Sequence, residues 1–487
     1  MESCRPRSAS NGMNIHDFAF WICAFFLIGI LLISTTDQIL VIFLITALAA
    51  LYLIFFKKYY FAFLAVFIII GAFYYQIFGA VQNLAKIPFG VSGEYQGIVK
   101  EVKSSSSSQS LAVSLSNPYS GTVKVTAPKY PGFNYGDLIK FNGIIKKPDA
   151  ESADYLAKEG IFGVSNLPDI ELAGTGKGNF LKAGLLDFKG RIIKTFTDNL
   201  PSEKAAFLSG ITLGDRQEFS KELKDRMSLS GTTHLVALSG YNISVIAGTL
   251  GLILGFYFSR SLSFYLTVAV IILFVLMTGA EASVVRAAIM GIIVLMAKES
   301  ERLFSVRNSI VIAAFLMALF NPRVLVFDVG FQLSFAALLG IIYLEPALKN
   351  IISGPRRFAD GRKAEETSFL KWKENALTTV SAQLAVVPIL IGVFGQFSLL
   401  SFLANVLILG LMPLTMGLGF LMGGAGFISQ FLALIIGLAL NLILSYELWI
   451  IDIFSRFSFP IVTESFGFSA AILYYLLLIG FIYKFGE

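Results

Sequence analysis

HLVALSGYNISVIAGTLGLILGFY, residues 234–257, opens on one of only two histidines in the chain and runs into apolar sequence long enough to cross a bilayer. A membrane helix needs roughly 20 mostly apolar residues. Outward from this stretch, similar runs occur at 18–34, 38–56, 59–79, 261–279, 283–297, 308–320, 329–344, 375–394, 398–422, 425–446 and 467–484. The 487 residues are 56% hydrophobic and 14% charged, with a mean hydropathy of +0.74, a balance foreign to soluble globular domains. The expected fold is therefore a polytopic α-helical membrane protein of about eleven or twelve spans.

Arg5 and Arg7 precede the first run as they would in a signal peptide, but two further spans follow at once, so it reads as a retained helix. Cys4 and Cys23 are too few and too poorly placed for a disulfide framework or a metal site. Lys and Arg in alternate short loops put the N-terminus in the cytoplasm and residues 80–234 outside. Most of the net charge of +6 is this topological bias, so it does not by itself point to nucleic acid.

Between the third and fourth spans the pattern changes. GEYQGIVKEV (93–102), SLAVSLS (110–116), GTVKVTAP (121–128) and DLIKFNGIIKKP (137–148) alternate or are rich in β-branched residues, and the serines at 104–108 read as a hairpin loop. Such strands suit an extracytoplasmic OB-like β-barrel inserted after the third span; on pattern alone a β-sandwich fits nearly as well. FLKAGLLDFKGRIIKTF (180–196) is amphipathic and is expected to lie on the outer membrane surface, and PSEKAAFLSGITLGDR (201–216) starts a helix that breaks at Gly214. The organisation read from these shifts is a three-span region at 1–88, the OB-like domain at 92–176, interfacial helices at 177–232 and a transmembrane core at 233–487.

Two histidines cannot build a helix-borne zinc site or a histidine-rich hydrolase cluster. GTGKGN (174–179) lacks the spacing of a phosphate loop. Neither a metal nor a cofactor is expected, nor any nuclease or ATPase activity.

Polar residues inside the apolar runs are more informative, because an ionisable side chain at bilayer depth costs at least about 2.5–3.5 kcal/mol and faces a cavity or a partner. His234, Ser239 and Asn242; Glu281, Ser283 and Arg286; Asp328 and Gln332; and Gln383 and Asn405 fall in this class. The plain reading is that they are caps and interhelical hydrogen bonds that fix packing. As a set, clustered toward the outer ends of several spans, they point to a shared polar conduit. Glu281 and Arg286, five residues apart, are poorly spaced to pair on one helix, so each needs a partner elsewhere. A second reading makes Glu281, Asp328 and His234 the acid/base set of a transporter or enzyme for lipid or cell-envelope substrates. The glycine pairs Gly251/Gly255 and Gly419/Gly423 read as close helix contacts.

ITLGDR (211–216), THLVALSGYNIS (233–244), ASVVRAAIM (282–290), DVGFQLSFAALLGI (328–341) and AQLAVVPILIGVFGQFSLLSFLANVLILGLMPL (382–414), in this order, resemble the competence domain of the ComEC family. FNYGDLIKFNGIIKKP and DYLAKEGI resemble that family's extracytoplasmic domain. The resemblance implies a channel in the bacterial inner membrane that passes single-stranded DNA into the cytoplasm during natural transformation. It also implies an outer DNA receptor protein, a separate nuclease and a cytoplasmic motor ATPase as partners, with membrane lipid around the spans. The expected lining of the conduit is Asp215, Arg216, His234, Ser239, Asn242, Glu281, Arg286, Asp328, Gln332 and Gln383.

Two departures from the family accompany the resemblance. Many members add a C-terminal metallo-β-lactamase-like domain, whereas this sequence ends at Glu487 and is expected to be the form lacking it. The family also commonly carries a second histidine after the Ser-Gly pair, where this chain has Asn242, which can donate and accept hydrogen bonds but cannot titrate. A degenerate member kept as an assembly scaffold is a third reading. Residues 92–176 hold eight Lys against nine Asp/Glu, so DNA contact there calls for a local patch. Lys140, Lys146 and Lys147, beside aromatic faces for stacking, are its candidates.

Overall fold

The computed structural model describes residues 15–36, 38–82, 84–105, 107–236, 240–299, 305–353, 368–394, 396–398, 401–457, 460–462 and 467–486. The chain divides into two compact units, one made of residues 1–84 and 293–327, the other of residues 85–292 and 328–487.

In the first unit, helices Ile15–Thr36 and Tyr59–Gln82 pack so closely that a Cβ on Gly29 would overlap the Ile68 carbonyl, and one on Gly71 the Phe26 carbonyl. Glycine is what lets these two backbones touch, as small residues do between membrane helices. Phe26 packs edge-on against Phe315 of helix Val306–Phe320, and the Tyr74 hydroxyl donates to the Leu319 carbonyl of the same helix.

The second unit begins with a six-stranded sheet: β1 (Ser92–Ser104), β2 (Ser108–Leu115), β3 (Thr122–Pro128), β4 (Leu138–Ile144), β5 (Ile161–Asn166) and β6 (Asp169–Gly174). Their order is β5-β3-β2-β1-β4-β6, all antiparallel except the β3/β5 pair. Alternate residues face inward, so Tyr95, Val99, Leu111, Val113, Val123, Val125, Ile139, Phe141 and Ile145 form one core. β1 carries a bulge between Val99 and Glu101, and its two halves pair with different partners, β4 then β2.

The expectation of a closed OB-like barrel is corrected. Both edge strands, β5 and β6, remain unjoined by a ladder, and a single bridge between Lys146 and Val164 links the end of β4 to β5. The sixth strand explains the difference: β6 takes the free edge of β4, which a barrel would use for closure.

The apolar runs correspond to helices of differing length. Each apolar run carries helix, but among the described residues five helices reach full spanning length: Phe18–Thr36, Tyr59–Gln82, Arg260–Met277, Val329–Ile352 and Gln430–Arg456. A sixth span is made if Leu403–Leu409 and Met412–Gly426, bent by 44° at their break, count as one. Six further apolar helices are shorter, 10–17 residues each. In the stretch 234–257, a 3-10 turn occupies Thr233–Leu235 and a helix occupies Gly240–Tyr257.

Helix Phe180–Asn199 is capped by the Asn179 side chain, which accepts from the Lys182 amide. Its first turn is exposed, but Ile192, Thr195 and Phe196 are buried, with Ile192 against Gly423 and Thr195 against Gly426 of helix Met412–Gly426. Its second half is thus part of the helix bundle and not a surface layer. The contact expected at Gly419 and Gly423 is present, with Leu208 and Ile192 seated on them. Gly251, in contrast, faces open space. Helix Ser202–Leu213 buries every residue from Ala205 to Leu213.

Candidate conduit and its polar clasps

Helix Ser202–Leu213 stops because Gly214 takes the left-handed conformation, φ +68°, that a side chain would strain. That turn brings Asp215 and Arg216 out of a buried helix. Asp215 meets Lys189 at 3.3 Å, each side chain only 13% exposed. Arg216 meets Glu281 at 3.4 Å and is more open to solvent, while its Nε is buried without a partner among the described residues.

The last turn of a helix leaves carbonyls with no amide to receive. Here Asp215 N turns back to the Ser209 carbonyl, leaving Ile211 O to be satisfied otherwise. Asn242, 4% exposed on helix Gly240–Tyr257, donates its Nδ2 to Ile211 O at 3.0 Å. Asn242 therefore caps another helix from the side, and the position needs a donor.

Arg286 lies on helix Ala282–Glu299, where Glu281 and Arg286 each find a partner away from that helix. Its Nη1 donates to the Ser334 carbonyl at 2.6 Å, and its guanidinium lies 5.8 Å from the Phe335 ring centre. Gly240 is its neighbour, since a Cβ there would come within 3.6 Å of Arg286 Nη2. Arg286 makes no ion pair with a carboxylate among the described residues, and its Nε and the Ser334 hydroxyl are both buried with no hydrogen bond. It is a held cation with donor capacity left over.

Asp328 does two jobs. Its Oδ1 accepts from Phe331 N at 2.8 Å, capping helix Val329–Leu339, and its Oδ2 accepts from Lys158 Nζ at 2.9 Å with both side chains under 20% exposed. Lys158 ends helix Ala150–Lys158, next to β5, and lies 4.4 Å from the Tyr155 ring centre. The β region is thus clasped to the helix whose Ser334 carbonyl holds Arg286. Burial first, then the neighbouring Glu159 carboxylate, pushes the Tyr155 hydroxyl above its ordinary range. Burial works to lower Lys103 nearby, but Glu101 and Glu159 outweigh it and leave its ammonium above the usual lysine value.

Gln332 follows on the Asp328-capped helix and is half-buried. After Leu339 the chain widens into one π-helical turn, Gly340–Leu344, where Gly340 approaches the Ser381 carbonyl of helix Ser368–Phe394. Gln383 is on that helix, also half-buried. His234 is in the 3-10 turn; its side chain and Ser239 lie outside the described residues. Of the expected conduit residues, the structure pairs Arg216 with Glu281 directly, while Asp215, Asn242, Arg286 and Asp328 each contact residues outside that set. Glu281 and Asp328 are each already engaged with a cation, an arrangement unlike a shared acid/base pair.

The outer patch is less coherent. Lys140 is paired with Glu94 at 3.2 Å and stands opposite Glu171 in the sheet register. Lys146 and Lys147 are exposed at the end of β4, Lys147 5.6 Å from the Phe89 ring centre.

Several polar contacts were not anticipated. Lys204 Nζ donates to Asn441 Oδ1 and Ser445 Oγ, both at 2.6 Å, and Thr415 Oγ1 lies 2.7 Å from Oε1 of the fully buried Glu447. Glu447 follows the apolar run 425–446 directly, and a lone carboxylate continuing such a run was the available signal. Lys158 carries no comparable signal, because its partner is 170 residues away.

The Competence protein family profile matches residues 211–486, a stretch that holds Arg216, Asn242, Glu281, Arg286 and Asp328. ComE operon protein 3 of Bacillus subtilis (strain 168) is 29% identical over 229 residues, 46% of this chain and 27% of that relative, so the match spans about a quarter of the relative's length. No solved structure matches. With more than half of its length inside the family profile and several helices able to cross a bilayer, the chain is a multi-pass membrane protein that belongs to the Competence protein family.

Proposed function

We propose that this protein takes part in DNA uptake for transformation, and that residues 233–487 form the core of a channel for single-stranded DNA across the bacterial inner membrane. The N-terminus is then cytoplasmic and the sheet of residues 92–174 extracytoplasmic. In this reading an outer DNA receptor delivers the duplex, a separate nuclease removes one strand, and a cytoplasmic motor ATPase pulls the other. The conduit itself performs no catalysis.

Arg286 is the observation that carries the reading. A phosphodiester strand needs cations along its way that are not already neutralised. Arg286 is held by a carbonyl and an aromatic ring, its charge uncompensated by any carboxylate among the described residues. Arg216, half-exposed, is paired with Glu281 and is a weaker second candidate.

The test is uptake of labelled, nuclease-protected DNA in a transformable host at matched membrane levels. Removing one buried charged partner costs about 2–5 kcal/mol, so Arg286→Ala is expected to lower uptake by about two orders of magnitude. Arg286→Lys, which keeps the charge and loses the fork, is expected to be intermediate. Normal uptake in Arg286→Ala would overturn the reading.

A further inference from the structure

Polar groups recur along one edge of helix Gln430–Arg456, one of the five helices long and apolar enough to cross a bilayer. At about 100° per residue, Gln430, Asn441, Ser445 and Asp452 fall within about 60° of one another on its surface. Each meets a polar group of the segment 199–226. Gln430 Oε1 accepts from Asn199 Nδ2 at 3.3 Å, and Asn441 Oδ1 and Ser445 Oγ accept from Lys204 Nζ at 2.6 Å. Asp452 lies 3.9 Å from Arg226, which also meets Glu203. At about 1.5 Å per residue this seam is about 33 Å long, against about 30 Å for the hydrocarbon core of a bilayer. It therefore offers polar groups at both ends and at the middle of a membrane crossing.

The seam is neither buried nor apolar. On one side of it the helix turns Gly437, Leu440, Leu444 and Ile451 into the bundle, and on the other Leu438, Leu442 and Trp449 are exposed. Gln430 and Ser445 are exposed between them. An ionisable group at bilayer depth faces water or a partner. At one end of the seam Arg226 and Arg456 stand against Glu203 and Asp452. Lys204, at the middle, donates to the Asn441 carbonyl at 3.3 Å, the Asn441 side chain and Ser445, all neutral, and meets no carboxylate among the described residues. Its charge is held in place and left uncancelled. Ser445, exposed and only a hydroxyl, is the partner that a phosphate oxygen would displace, because hydrogen bonds between two ionised groups are stronger.

We infer that this seam is a water-lined track across the bilayer and that Lys204 is a binding point on it for the phosphodiester backbone of a single strand. The choice of ligand rests on the proposed uptake of DNA; the water lining does not. A partner's membrane helix carrying one carboxylate would answer Lys204 but not the polar groups above and below it, whereas water and a charged strand suit all of them.

The full-length protein in lipid nanodiscs, with both native cysteines replaced by serine, tests the lining. Ser445→Cys is expected to react with a water-soluble maleimide at least about tenfold faster than Leu442→Cys or Trp449→Cys, because the reactive thiolate needs water around it. Equal rates at the three positions would overturn the track. Binding of a single-stranded oligodeoxynucleotide to the same particles tests the cation. The slope of log affinity against log salt is expected to be shallower by about 0.7 in Lys204→Gln and unchanged in Lys204→Arg, as the loss of one phosphate contact requires. A purely structural role for Lys204 would not move that slope. An unchanged slope in Lys204→Gln, or no binding at all, would overturn the assignment. Normal uptake in Arg286→Ala would overturn the conduit at Arg286 and leave both readouts standing.

Discussion

The sheet and the helical region of the second unit both contain exposed ion pairs, such as Arg191–Asp187 at 67% and 65% in the latter, but the helical motifs also hold well-buried ones. In the sheet, Lys140 and Glu94 are 45% and 63% exposed. Across the helical motifs, Lys158 and Asp328 are 12% and 17% exposed, and Lys189 and Asp215 13% each. Exposed pairs contribute about 0–1 kcal/mol, whereas breaking a buried pair strands a charge and costs much more. The sheet is therefore held by its alternating apolar core, with its charges dispensable. The helical region is held by polar clasps between segments far apart in sequence, and the same residue types become structural there.

The sharpest way to break this contrast is to attack the sheet where no charge is involved. A Cβ at Gly97 would lie 2.5 Å from the Ser114 carbonyl and 2.6 Å from the Val113 side chain. Gly97→Val is expected to destabilise the sheet by about 3 kcal/mol, since overpacking against backbone has little room to relax. Hydrogen exchange of the β1 and β2 amides in the full chain measures it, and unchanged protection would mean the sheet is not packing-limited.

Next comes Asp328. Asp328→Ala removes a helix cap and the partner of Lys158 together, an expected loss of about 2 kcal/mol in thermal unfolding of the solubilised protein. Asn is also a good cap, so Asp328→Asn isolates the ion pair and is expected to lose roughly half as much. No loss in Asp328→Asn would show that the clasp to Lys158 contributes nothing, and equal losses in the two variants would show that the cap does not. The smallest effect belongs to Lys140→Ala, within about 0.5 kcal/mol of zero by the same measurement. A loss comparable to that of Asp328→Ala would erase the distinction between the two regions.

Much of this was legible in the sequence. Apolar runs announce helices because burial of such runs needs no long-range information, and strict alternation announced β2 and β3 in the same way. Gly214 was readable as a helix stop because its conformation is a local matter. Full span length was less legible, since a break such as that at Leu411 interrupts a run that hydropathy reads as continuous. Barrel closure was not legible either, because it depends on which strand takes the free edge of β4.

The candidate residues were visible as polar intrusions, but their partners were not. Asn242 meets a carbonyl 31 residues away, Arg286 one 48 residues away, and Lys158 a carboxylate 170 residues away. Spacing rules cover three or four residues along a helix and cannot reach that far. Glu447 was overlooked for a different reason: it follows a hydrophobic run without interrupting it.

Asn242 carries one more consequence. The joint it makes with Ile211 couples the ITLGDR turn to the start of the next apolar helix through a neutral amide. An imidazole in that place would change its charge and its donor pattern between about pH 5 and 8. The amide does neither, so the joint holds the same way at acidic pH as at neutral pH. Whatever acid sensitivity the protein has must enter elsewhere in its structure.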